Sequence, residues 1–153
     1  CNFHVSLFGR TITDSDKEYL KELKDLIDRL GIKEYFTFVD NVFHNEIVKA
    51  YNEADVNINL CPRGGVDKAV IESMACELPV IAANITYKED FGIYKDNLLV
   101  NEYDAQDLAN KIELLMKNNQ GESEKIGAYL RKQVVARHNA KDLIKKISEA
   151  IKS

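Results

Sequence analysis

Tryptophan is absent from the chain, proline occurs twice, histidine three times and cysteine three times. Cys1, Cys61 and Cys76 form an odd set with no CxxC spacing, which excludes a disulfide framework and the common thiolate zinc patterns. Incidental thiols in a reducing compartment are the expectation. No apolar run approaches the roughly 18 residues of a membrane-crossing helix, and no signal-peptide pattern is visible. The chain also lacks GxGxxG, GxxxxGK, GxSxG and HExxH, so the common dinucleotide, P-loop, hydrolase-elbow and metalloprotease signatures are missing. His4, His44 and His138 are scattered and suggest no metal site; His44, beside Asn45 and Glu46, suits a helix start. Asn84-Ile85-Thr86 matches a glycosylation sequon, read as unmodified in a chain without a secretion signal. Charge is nearly balanced, 21 basic against 25 acidic residues, for a net charge of -4. That balance argues against a general phosphate-backbone binder, so no nucleic-acid partner is expected.

What is present is an ordinary globular composition, 45% hydrophobic and 30% charged over 153 residues. One domain covering 1–153 is expected, with no repeat, low-complexity tract or long linker. The chain starts without Met and enters its first strand almost at once, the pattern of a domain cut from a longer chain. Phe3, Val5 and Leu7 alternate into Gly9 as a strand. Asp14 or Ser15 can cap a helix carrying Tyr19, Leu20, Leu23, Leu26, Ile27 and Leu30, closed by Gly31. Strands are expected at 35–39, 56–60, 78–83 and 98–100. Helices are expected at 44–53, 68–76, from the Asp104/Asp107 capping pair to Met116, at 122–137 and at 141–152. The least structured stretch should be 84–96. Strands alternating with helices predict an α/β fold: a Rossmann-like open parallel sheet with helices on both faces.

In such sheets ligands sit at the carboxyl ends of strands. CPRGGVDK follows the third strand there, and opens the helix of AVIESMA. Gly64 and Gly65 allow close backbone approach, free helix N–H groups attract phosphate, and Arg63 and Lys68 add positive charge. Glu72, one turn into the helix, can accept two parallel hydrogen bonds from a ribose diol. The competing reading is a surface Glu72 paired with Lys68 four residues earlier. Asp67 is a good N-cap, and its carboxylate competes with phosphate for the same N–H groups.

ADVNINLCP, GGVDKAVIESMACELPVIA and NLLV together resemble the C-terminal, nucleotide-sugar-binding domain of retaining glycosyltransferases with the GT-B fold, of the family-four (group 1) kind. Upstream, LGIKEYFTFVDNV is similar to that family's second-strand segment. The resemblance implies the C-terminal half of a GT-B fold, and a hexosyltransferase-type enzyme using a nucleotide-diphosphate sugar with retained configuration. It implies Glu72 as the ribose-binding residue, Arg63, Gly64, Gly65, Val66, Asp67 and Lys68 as the loop for donor phosphate and sugar, and Asn41 and Val42 as the base-binding turn. It implies no cofactor and no essential metal, and it assigns no catalytic residue. It places the acceptor domain and the diphosphate-binding Arg and Lys upstream of Cys1. The piece alone should therefore be inactive, with a cytoplasmic location and any membrane association coming from the missing part. Gly64 stands where the family's first motif Glu is expected, Asp67 and Glu77 replace two family glycines, and Asp40 replaces a third. A nucleotide-sugar epimerase half and a non-catalytic nucleotide-binding module are the alternative readings.

Overall fold

The structure, a computed structural model, describes residues 3–40 and 42–152. The chain divides into two compact units, Cys1–Ile47 and Val48–Ser153. In the first, β1 (Val5–Phe8) and β2 (Phe36–Val39) pair in parallel, with Val5 opposite Phe36 and Phe8 opposite Val39. Parallel neighbours need a crossover, and α1 (Asp14–Leu30) supplies it. Its cap is Thr13, one residue before the expected Asp14 or Ser15. The Thr13 hydroxyl accepts from the Asp16 amide at 3.1 Å, while the Asp16 carboxylate accepts from the amides of Thr13 and Ile12 at 2.8 and 3.0 Å. Those bonds, Thr13's first, hold the Asp16 carboxyl below the usual carboxylate range. A reciprocal capping box uses the hydroxyl and the acid three residues on, so the first acid of the run is not the cap. Gly31 ends α1 in the left-handed region, φ 67°, and Ile27 is its buried residue.

α2 (His44–Glu53) runs across the division between the units. In the second unit β3 (Asn57–Asn59) pairs in parallel with β4 (Val80–Ala82), and α3 (Lys68–Ala75) crosses between them. β4 is fully buried, as its unbroken apolar run requires of a strand covered on both faces. The strand expected at 98–100 is reduced to one parallel bridge, Leu99 to Ala82. Leu98 still belongs to a helix, α5 (Lys95–Leu98), and is buried, so only Leu99 reaches the extended backbone a ladder needs.

The stretch 84–96, expected to be loose, is almost continuously helical. It contains two short 3₁₀ turns, Ile85–Tyr87 and Gly92–Tyr94, around α4 (Lys88–Phe91), and leads into α5. Tyr87 and Phe91 are fully buried and stack with centroids 5.9 Å apart. Of the charges between them, Lys88 and Glu89 are exposed, while buried Asp90 receives Arg137 Nε at 3.0 Å and His138 Nε2 at 3.1 Å. The remaining helices are α6 (Ala105–Lys117), α7 (Gln120–Arg137) and α8 (Ala140–Lys152). α6 is capped by Asp104, which accepts from the Asp107 amide at 2.9 Å. Asp107 does not reach back to Asp104; it turns to the Asn101 amide at 2.8 Å. This bond first, and Lys111 beside it, hold the Asp107 carboxyl below its ordinary range.

The core gathers Val70, Met74, Val80, Ile81, Phe91, Leu98, Ile126 and Leu130. α7 lies so close to the end of α3 that a Cβ on Gly127 would stand 1.9 Å from the Glu77 carbonyl oxygen. Glu77 itself has φ 62°, a left-handed position where its side chain costs about 1 kcal/mol against glycine. Two stability changes of opposite sign are expected. Glu77→Gly should raise the denaturation free energy by about 1 kcal/mol, and Gly127→Ala should lower it by about 1–3 kcal/mol, both read by chemical denaturation.

Candidate functional site

The turn between β3 and α3 is held by polar side chains at both ends. Asn57 and Asn59, on one face of β3, point at α3. The Asn57 amide donates to Ser73 Oγ at 2.9 Å, and that hydroxyl donates back to the carbonyls of Ala69 or Val70. The Asn59 amide donates to Asp67 Oδ2 at 2.8 Å, and Asp67 Oδ1 accepts from the Ala69 amide at 2.9 Å. Asp67 is thus the N-cap of α3, as its type and place predict. From below, the buried Tyr87 hydroxyl accepts from the Asp67 amide at 2.6 Å. Burial pushes the Tyr87 phenol up from its ordinary value.

Gly64 has φ 114°, a backbone that residues with side chains rarely adopt. Its carbonyl accepts from the Asn84 side-chain amide at 3.4 Å. Asn84 is buried and also takes the Thr86 amide at 3.0 Å, so the sequon is a structural cap with its amide enclosed. The amides of Gly65 and Val66 make no hydrogen bond among the described residues. Arg63 and Lys68 are exposed and form no ion pair among the described residues.

Glu72 does not pair with Lys68. Its Oε2 accepts from the Tyr51 hydroxyl of α2 at 3.3 Å, and both side chains are half-buried. Burial first, then the Glu72 charge and this hydrogen bond, push the Tyr51 phenol up to about 12. The apolar spacing of α2 puts Tyr51 on the same face as Ile47 and Val48, where it reads as a core ring. Its hydroxyl partner lies 21 residues away in sequence, and no local pattern announces it.

The structure therefore brings the 63–68 loop and Glu72 together around the carboxyl end of β3 and the start of α3. Val42 follows β2 in the first unit and is half-buried; Asn41 lies outside the described residues. A shallow concavity of about 290 Å³, floored by Leu60, Pro62, Ala83 and Val100, opens beside the same strand ends. No local pattern announces it, because its floor comes from three separate segments: Leu60 and Pro62, Ala83, and Val100. Cys61 is exposed and Cys76 half-buried, both free, and Cys1 lies outside the described residues. Burial, more than any charge, raises the Cys76 thiol. Among the described residues no cluster of His, Cys, Asp and Glu could hold a metal ion, and no helix is long and apolar enough to cross a membrane.

Parallel strands joined by helices, with a glycine turn at a strand's carboxyl end, make an α/β domain of the Rossmann-like kind, and superposition places it with glycosyltransferases of the GT-B fold. The solved structures bear this out. Sucrose-phosphate synthase from Thermosynechococcus elongatus superposes with a TM-score of 0.84 at 25% identity, over 96% of this chain and 37% of its own. HepE of Anabaena, solved in complex with UDP, gives 0.86 at 22% identity, over 98% of this chain and 41% of its own. The C-terminal domain of the group 1 glycosyl transferase LpcC from Francisella tularensis gives 0.72 at 22% identity, over 84% of this chain and 66% of its own. The chain belongs to the family of glycosyl transferases group 1, whose pattern matches residues 2–133. It spans about two fifths of the length of the first two structures. A comparison with curated protein sequences finds no match.

Two measurements test this geometry. The difference in alkaline absorbance titration between the native protein and Tyr51→Phe should show a phenol ionising near 12. Glu72→Gln should bring that midpoint down without returning it to 10.0, since burial, the larger cause, remains. Gly64→Ala should cost about 1–3 kcal/mol by chemical denaturation, because the strain comes from the backbone and the space around it is open.

Proposed function

We propose that this chain is the donor-binding part of a retaining hexosyltransferase, which passes a sugar from a nucleotide diphosphate to an acceptor hydroxyl. The observation that carries the reading is Glu72: a half-buried carboxylate one turn into α3, free of Lys68, above a glycine loop with two unused amides. Glu72 accepts the two ribose hydroxyls. The Gly65 and Val66 amides, with Arg63 and Lys68, receive the diphosphate and the sugar. The chemistry this supports is electrostatic: donors aimed at the departing diphosphate stabilise its growing charge as the glycosidic bond breaks. That requires no metal and no general base from this chain. Asn41 and Val42 form the proposed base-binding turn. The acceptor side belongs to residues outside the 153, which by themselves transfer no sugar. The location proposed is cytoplasmic.

HepE has been solved with UDP and with UDP-glucose, which makes UDP the first probe. In calorimetric titration of the full-length protein, one of UDP, GDP and ADP should bind. Glu72→Ala should weaken it by about tenfold or more, as expected for a hydrogen-bonded carboxylate. Tight binding that ignores Glu72→Ala would sink the ribose assignment, and sugar transfer by the 153 residues alone would contradict the division of labour. Gly64 favours a second reading, a nucleotide-binding module without transfer, because a glycine offers no side chain to meet the sugar and its φ of 114° is one that side chains rarely adopt. Donor turnover by the full-length protein separates the two.

A further inference from the structure

Resting on the ribose reading of Glu72, we infer that Tyr51 is a positioning residue that orients the Glu72 carboxylate for the ribose diol. The Tyr51 hydroxyl meets Glu72 Oε2 at 3.3 Å across two elements, α2 and α3. A diol needs two acceptors set side by side, and a glutamate on a helix surface swings about three torsions. One fixed donor on one oxygen removes most of that freedom. The count of lone pairs also fits. An ionised carboxylate has about four acceptor positions. Tyr51 takes one on Oε2, leaving the other on Oε2 and both on Oε1 for the two ribose hydroxyls. The phenol is held protonated well past neutrality, so it always donates to the carboxylate. Lys68, four residues before Glu72 on α3, forms no ion pair with it. The direction of α3 is set independently by the Asn57–Ser73 and Asn59–Asp67 bonds, so Tyr51 is not needed to place the helix.

Tyr51→Phe keeps the ring and deletes only the donor. In the full-length protein, calorimetry with whichever of UDP, GDP and ADP binds best should show affinity lowered by about three- to tenfold. The preference for the ribonucleotide over its 2′,3′-dideoxy analogue should fall by a similar factor, while the midpoint of thermal unfolding stays near the native value. A merely structural tyrosine would move the unfolding midpoint and leave that preference untouched. Glu72→Ala should abolish the preference, and adding Tyr51→Phe to it should cost nothing further. A native-like preference in Tyr51→Phe, with the preference lost in Glu72→Ala, overturns the role of Tyr51 alone. A preference that survives Glu72→Ala overturns the ribose reading and this role with it.

Discussion

The Asp67 carboxylate is the hinge pin of the site. One oxygen caps α3 through the Ala69 amide and the other holds the Asn59 amide of β3, while the residue's own amide is tied to Tyr87. These three bonds fix where the helix begins, how far it stands from the strand and which way the preceding loop enters it. Without the cap, the amides of the first turn lose their nearest acceptor. Glu72 inherits its position from that starting point, because a helix carries register forward rigidly. The same carboxylate changes the electrostatics of the turn. It occupies the anion position at the Ala69 amide, while the Gly65 and Val66 amides, a few residues upstream, make no hydrogen bond among the described residues.

Most of the architecture was legible in the sequence. The alternation of strands and helices, the Gly31 stop, the buried run of β4 and the cap at Asp67 all follow from local chemistry. The elements that were misread depended on distant partners. The 84–96 stretch looks polar and loose because Lys88, Glu89 and Asp90 crowd it, yet almost 50 residues on Arg137 pairs with Asp90 and His138 hydrogen-bonds it, which lets Tyr87 and Phe91 go inside. Residues 98–100 are apolar enough for a strand, but Leu98 satisfies its burial as the last residue of a helix. Apolarity says that a residue goes inside and not which backbone takes it there.

The site divides along the same line. Glu72, the glycines and Asp67 are visible because they lie within nine residues of one another, in a pattern that resembles a known family. Tyr51, Tyr87 and Asn84 come from two other segments, α2 and the turn after β4, and carry the bonds that hold the loop and the carboxylate. Each is an ordinary residue in its own neighbourhood: an apolar-face aromatic, a buried ring, a sequon asparagine. The family pattern over residues 2–133 places the chain in its family. It gives no account of how the glycine loop is kept in shape, and the hydrogen bonds of these three residues do.

Gly64 makes any side chain at its position costly to introduce. The backbone has turned to a φ of 114° at the position in question, and Asn84 grips its carbonyl in that orientation. A glutamate introduced there by one substitution would arrive on a strained backbone, with its Cα–Cβ bond set by the present turn. Relieving that strain needs the loop to be redrawn, with Asn84 and the turn altered before or together with the side chain. The loop thus couples what position 64 can carry to a residue twenty positions away in the sequence.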